Sequence, residues 1–200
     1  MKVYHYTKAN RLHSIFTDGF IATEMKRTLN PAPKVTDYVW FTEKLQYPKT
    51  ALPALSDFPE TMLFLHLTTK NVHVDLGKIG AAVGNFYRFS FDSNDTRFKK
   101  WWHSTERQEA LLSQIWKGME SVANKVNDEV RAFWISTNDV QLTNFSLEVF
   151  EKNSWNTVLS NVSLNNANQE TLQTIEGLKE TSKRLCIEFG IPVYEELEAA

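Results

Sequence analysis

The stretch VYHYTKANRLHSIFTDGFI, residues 3–21, decides the fold expected for the start of the chain. Its first five residues alternate as an extended strand does, so His5 and Thr7 are expected on the same side. Thr7 belongs to the residue types that cap helices and Gly19 to those that end them, which predicts a helix beginning at Lys8. The apolar residues of that helix recur at helical spacing and are expected to pack against the sheet. The stretch therefore predicts a strand that carries a histidine, followed at once by a helix.

Composition favours one globular domain with an appended tail. The chain has 200 residues, of which 42% are hydrophobic, and a formal net charge of −2. That charge gives no overall field that favours nucleic acid or a membrane. Cys186 is the sole cysteine, so we expect no internal disulfide, no Cys/His zinc site and a reducing compartment. Because there is no apolar run of about 20 residues and no apolar signal segment, we expect a cytoplasmic protein with no membrane partner.

Short aromatic and β-branched segments predict strands, and amphipathic segments predict helices. Strands are expected at 38–43, 61–69, 72–76, 86–91, 129–136 and 140–151, the last with an irregularity near Asn144. Residues 95–123 and 170–190 are expected to be mainly helical. The Asn/Ser-rich composition of 153–169 is typical of a loop or linker. The pattern favours an α+β fold with a mixed or antiparallel sheet, divided into a domain at 1–152 and a linker plus helix at 153–200.

Three segments carry residue types that bind or transform ligands. These are the first strand with His5, the strand VWFT at 39–42, and the segment NDEVRAFW, in which Glu129 is expected to begin a strand. Each also fits an ordinary structural role: a half-buried histidine, a core Trp40, a strand hydroxyl at Thr42 and a solvated glutamate. Their order along the chain is more informative than any one of them.

That order resembles the ADP-ribosyltransferases, in the branch whose triad is a histidine, then an aromatic or hydroxyl residue, then a glutamate. The resemblance covers about residues 1–45 and 127–151. Bacterial toxins and phage-defence enzymes belong near that branch of the family. It implies a mixed or antiparallel split sheet with flanking helices, here followed by a C-terminal amphipathic helix. It also implies a transferase with NAD as substrate, without a metal, that moves ADP-ribose to a macromolecular acceptor, either protein or nucleic acid.

The resemblance assigns roles around the nicotinamide end of NAD. His5 would hydrogen-bond a ribose hydroxyl, and Tyr6, with Thr7 beside it, would hold the nicotinamide amide through its backbone. Either Trp40 or Phe41 would form an aromatic wall for the flat ring. A third candidate for the same motif position is the hydroxyl of Thr42.

The resemblance also assigns a role to one charged group. Glu129 would be the catalytic carboxylate, stabilising positive charge that develops on the ribose as the glycosidic bond breaks. Apart from the resemblance, the charge of the diphosphate makes Arg11 or Arg88 a candidate to meet it. For both arginines, a solvated surface charge is the alternative.

The sequence leaves further functions open. An RNA 2′-phosphotransferase is similar in fold, and a catalytically inactive domain that binds a nucleotide or a partner is a further alternative. The segment TRFKKWWHSTERQ at 96–108 interleaves basic and aromatic residues, which is typical either of a helix start or of an acceptor surface for nucleic acid. The C-terminal helix is a candidate contact for a partner or antitoxin.

Overall fold

The computed structural model describes residues 1–23, 38–45, 86–112, 123, 128–152 and 154–188. The strands predicted at 61–69 and 72–76 lie outside these residues. The described chain is an α+β protein with mostly antiparallel strands and a C-terminal helix, as the sequence predicts. It divides into two compact units. The first draws its described residues from 1–5, 22–23, 38–45, 92–112, 123 and 128–139, and the second from 6–21, 86–91, 140–152 and 154–188.

Four strands contribute residues to the first unit. They are β1 (Lys2–Lys8), β3 (Val39–Thr42), β5 (Lys99–Lys100) and β6 (Phe133–Ser136), in the spatial order β5-β6-β3-β1. Of β1, only residues 2–5 belong to this unit. β3 lies antiparallel to both β1 and β6. Between β5 and β6 the chain forms a 3₁₀ helix at Trp101–His103 and the helix α2 (Thr105–Leu112). The aromatic side chains around Trp101 and Phe133 make the core of this unit.

The second unit joins strands to two helices. Its strands are β2 (Phe20–Ile21), β4 (Phe86–Asp92), β7 (Val140–Gln141), β8 (Phe145–Glu151) and β9 (Ser154–Val162). β8 pairs antiparallel with both β4 and β9, and β2 pairs with β7. The core is a set of phenylalanines, in which the Phe16 ring lies 5.8 Å from Phe89 and 6.4 Å from Phe145. Asn144, between β7 and β8, has φ of 50°, so the irregularity predicted there is confirmed as a turn.

The helix after β1 begins later than predicted. β1 continues through Lys8, a 3₁₀ helix occupies Ala9–Arg11, and α1 spans Leu12–Asp18. Thr7 is buried in the strand and does not cap a helix. The predicted end is confirmed, because Gly19 adopts a left-handed φ of 75° and its amide donates to the carbonyl of Ile15. A glycine takes that conformation without the strain a Cβ would cause.

The linker predicted over 153–169 is wrong for residues 154–162, which form β9. Only Leu159 in this strand is buried, so the strand keeps a polar composition on both faces. It is the last strand in its sheet and pairs on one side with β8. With one buried residue, the strand lacks the alternating apolar pattern by which a half-buried strand is recognised. For this reason the Asn- and Ser-rich composition of the segment was typical of a loop although it forms a strand.

The predicted C-terminal helix is confirmed as α3 (Gln169–Glu188), and it packs on the start of the second unit. The buried hydroxyl of Ser182 accepts a 2.9 Å hydrogen bond from the backbone amide of His13. The thiol of Cys186 donates to the carbonyl of Asn10 at 3.4 Å. These contacts make α3 part of the second unit.

Glu129 does not begin a strand. The amide of Ala132 donates to the carbonyl of Glu129 at 2.8 Å, which closes a 3₁₀ turn over Val130–Ala132. β6 therefore starts at Phe133. Likewise, the helix predicted over 95–123 begins only at Thr105 among the described residues, after β5 and a 3₁₀ turn.

Candidate functional site

His5 is held against β3 by a side-chain hydrogen bond. The register pairs Tyr4 with Thr42, which places His5 opposite Phe41 in the antiparallel pair. The Nδ1 atom of His5 lies 3.0 Å from the carbonyl oxygen of Trp40. A carbonyl only accepts hydrogen bonds, so Nδ1 carries the hydrogen and donates it. In the neutral ring, Nε2 is then the acceptor nitrogen.

The histidine shares one face of the sheet with two aromatic residues. The rings of His5 and Phe41 are 5.6 Å apart, and Phe41 pairs in register with Trp134 on β6. Because directly paired residues point to the same side, His5, Phe41 and Trp134 form a row across β1, β3 and β6. We call this row the histidine face. His5 and Trp134 are half-buried, whereas Phe41 is only 2% exposed.

Trp40 lies on the opposite face and joins an aromatic cluster. Its ring centroid is 5.0 Å from that of Trp101, 6.1 Å from Tyr38 and 6.2 Å from Phe133. The ring is half-buried, so part of its surface faces solvent. Trp40 therefore supplies its carbonyl to the histidine face while its side chain packs on the other side of the sheet.

Thr42 is buried and has a structural partner. Thr42 is 2% exposed, and its Oγ1 accepts a 3.1 Å hydrogen bond from the backbone amide of Lys44. The hydroxyl thus stabilises the turn at the end of β3. Of the three candidates for the second motif position, Trp40 is the most exposed.

Glu129 lies at the surface beside the end of β3. Its side chain is 56% exposed, and its carboxylate forms an ion pair with the ammonium of Lys44 at 2.5 Å. The hydrogen bond and the charge of Glu129 raise the pKa of Lys44. The ion pair brings Glu129 to the end of the strand that carries Trp40 and Phe41. No hydrogen bond from the Glu129 side chain caps the 3₁₀ turn that follows it.

Glu43 is a carboxylate that the sequence interpretation missed. It accepts 3.0 Å hydrogen bonds from Trp134 Nε1 and from the ammonium of Lys100, and its side chain is 25% exposed. Burial opposes ionisation, but the hydrogen bonds from Trp134 and Lys100 outweigh it and lower the pKa of Glu43. Strand alternation was the available signal, because Glu43 lies two residues beyond Phe41 and so continues the histidine face.

The remaining predicted nicotinamide and diphosphate contacts belong to the second unit. The Tyr6 ring packs edge-on against Trp155 at 5.5 Å, and its hydroxyl lies 3.5 Å from Arg88 Nη1. Thr7 is buried. Arg11 is partly exposed at the end of a 3₁₀ helix, where its carbonyl accepts a hydrogen bond from the Ser14 hydroxyl.

The prediction that Arg88 meets a diphosphate is wrong. Arg88 is 5% exposed, and its guanidinium donates to both carboxylate oxygens of Glu148, at 2.7 and 3.1 Å. The Trp155 ring covers it at 4.4 Å. Glu148 occupies the edge formed by Nε and Nη2, the Tyr6 hydroxyl lies beside Nη1, and burial keeps an external anion away, so Arg88 is a structural residue.

Comparisons with family models, curated proteins and solved structures found no match. Within the described ranges, no group of three or more His, Cys, Asp and Glu side chains is arranged to hold a metal ion. No helix in the part of the chain covered by the structure is both long and apolar enough to span a membrane.

Proposed function

We propose that this chain is an NAD-dependent ADP-ribosyltransferase that moves ADP-ribose to a macromolecular acceptor. The observation that carries the proposal is the placement of His5, the strand VWFT and Glu129 in one unit. His5 bonds the backbone of Trp40, and Glu129 reaches the end of the same strand through Lys44. The proposed fold is that of the same family, and the mostly antiparallel strands together with the C-terminal helix support an α+β fold of this kind.

His5 is suited to hold a ribose hydroxyl. Its Nδ1–H is committed to the Trp40 carbonyl, which fixes both the tautomer and the orientation of the ring. Nε2 then acts as acceptor for a hydroxyl hydrogen. A ring fixed in this way loses little freedom when the sugar binds.

Glu129 is suited to act on the transition state. When the bond between nicotinamide and ribose breaks, neutral nicotinamide leaves with the bonding electrons and positive charge develops on the sugar. A carboxylate near that sugar stabilises the charge without covalent chemistry. A nucleophilic atom of the acceptor then bonds to the ribose carbon and loses its proton. The ion pair with Lys44 is solvent-exposed on both sides, so the carboxylate can leave it at little cost.

Incubation with NAD labelled in the adenylate portion, in the presence of cell extract, tests the proposal. Transfer of label to protein, RNA or DNA in the wild-type reaction is the expected result and identifies the acceptor class. Binding of NAD without hydrolysis or transfer would instead support an inactive nucleotide-binding domain. The absence of both binding and turnover would contradict the proposal.

A further inference from the structure

Two arginines from separate elements lie over one tryptophan in the first unit. The guanidinium carbon of Arg107, on α2, is 3.8 Å from the centroid of the Trp102 ring. That of Arg131, in the 3₁₀ turn before β6, is 4.8 Å from the same ring. Trp102 is half-buried and packs on the aromatic core of the unit, so it gives both arginines a fixed support. We call these three residues the tryptophan–arginine surface.

The charge of Arg131 differs from that of the neighbouring cations, which form ion pairs. These pairs are Arg97–Asp95, Lys99–Glu106 and Lys100–Glu43. Arg131 is exposed and, among the residues that the structure covers, forms no ion pair with a carboxylate. Its guanidinium is therefore held by an aromatic ring and leaves its charge for an external anion.

We propose that the tryptophan–arginine surface binds single-stranded nucleic acid. A guanidinium that rests on an indole keeps its N–H edge directed outward, where it can donate two hydrogen bonds to a phosphate. Its outer face is a plane on which an unpaired base can stack. The surface thus combines the two elements used by single-strand binding proteins, positive charge along the backbone and planar groups under the bases.

A single strand suits this surface better than a duplex. In a duplex the bases stack on each other and expose only their edges in the grooves, so a guanidinium plane has no base to cover. Reading a groove also needs a long helix or ribbon that enters it. α2 has eight residues, and Arg131 lies in a turn of three.

The test is equilibrium binding of a fluorescent single-stranded oligonucleotide to the full chain in the absence of NAD. Each phosphate neutralised on a single strand contributes about 0.7 to the slope of log affinity against log salt. Contact of one phosphate by Arg131 predicts a contribution of about −0.7 to the slope over about 50 to 200 mM salt. Arg131→Gln should lower its magnitude by about 0.7 and weaken binding. Arg184→Gln, which removes an exposed arginine from α3, is the matched control and should change neither quantity.

Arg131→Lys separates charge from stacking. It should keep the salt slope but bind less tightly, because an ammonium is not a plane and donates as a point charge. A single strand that does not bind at low salt, or equal effects of the Arg131 and Arg184 variants, would overturn the proposal. Tighter binding of a duplex of the same length would also overturn it. Since no NAD is present, these outcomes are independent of the proposed transferase activity.

Discussion

His5 Nδ1 donates a 3.0 Å hydrogen bond to the backbone carbonyl of Trp40, in the same unit that contains Glu129. The bond assigns the hydrogen to Nδ1 and the lone pair to Nε2. It ties the ring to β3 and gives His5 a structural role as well as the proposed ligand role. The two roles use different nitrogens, so different substitutions separate them.

His5→Asn is expected to weaken NAD binding with little change in melting temperature. The amide nitrogen of asparagine can replace Nδ1 as donor to the Trp40 carbonyl, whereas nothing replaces Nε2 as acceptor. We expect the dissociation constant for NAD to increase about tenfold, which corresponds to about 1.4 kcal/mol for one lost hydrogen bond. Isothermal titration with NAD and a thermal melt measure the two effects.

His103, which is exposed, provides the control, and His103→Ala should alter neither quantity. His5→Ala removes both nitrogens and should lower both NAD affinity and stability. Unaltered NAD affinity in His5→Asn would show that Nε2 does not contact the ligand.

Glu43→Gln should reduce stability at neutral pH by about 1 kcal/mol, because the amide oxygen keeps the Trp134 bond but loses the charge that faces Lys100. The hydrogen bonds lower the pKa of Glu43 in the folded state below its ordinary value of 4.5. The stabilisation is therefore complete above that value and is lost as the pH falls through the lowered pKa. Urea unfolding of both proteins across this range measures the difference.

The difference between wild type and Glu43→Gln should shrink as the solution is acidified. Glu109→Gln removes an exposed carboxylate from α2. Its free energy of unfolding should change with pH in parallel with that of the wild type. If the free energy of unfolding of Glu43→Gln also changed with pH in parallel with that of the wild type, the Glu43 carboxylate would gain no stability from Lys100 and Trp134.

Glu148→Gln is expected to destabilise the protein by about 3 kcal/mol, since it leaves the buried guanidinium of Arg88 without a counter-charge. Glu176→Gln breaks the pair with Lys179 on the exposed surface of α3 and should be nearly neutral. Chemical unfolding of both variants measures the contrast. Equal effects would mean that Arg88 reaches solvent and does not depend on Glu148.

The strands that the sequence predicted correctly are those in which local chemistry and burial agree. VWFT and FYRFSF are β-branched or aromatic and enter a core, so β3 and β4 appear where expected. Gly19 ends its helix because the position needs a left-handed φ, a requirement that residue type reveals. The α+β class followed from these elements.

The missed features depend on residues far apart in the chain. Arg88 and Glu148 are 60 residues apart, and only the register of β4 with β8 places them side by side. β9 is a polar edge strand, so its pairing with β8 left no apolar pattern. The turn before β6 moved Glu129 out of a strand that composition favoured. Glu43 became recognisable only when Trp134 and Lys100 were brought to it.

Ser182→Ala should loosen α3. The change removes the acceptor for the buried amide of His13, which costs about 1–3 kcal/mol. Cys186 reports the effect, because its thiol is buried and burial raises its pKa, so it reacts slowly while α3 is packed. We expect faster labelling by a thiol reagent and a lower melting temperature.

Thr181→Ala is the matched control, because Thr181 is the exposed neighbour of Ser182 on α3. In this variant the Cys186 thiol should be labelled at the wild-type rate. Wild-type labelling by Ser182→Ala would mean that the hydrogen bond to His13 does not hold the helix in place.

The most direct test of the proposed function is the turnover of labelled NAD by Glu129→Gln, measured as both hydrolysis and transfer. The substitution keeps the shape of the side chain and removes its charge. Because Glu129 is exposed and its ion pair with Lys44 is at the surface, folding and NAD affinity should stay near wild type while turnover falls at least about 10²-fold. The neighbouring Asp128→Asn should be mild. Retention of more than about a tenth of the activity by Glu129→Gln, or a comparable loss only in Glu43→Gln, would contradict the assignment of Glu129 as the catalytic carboxylate.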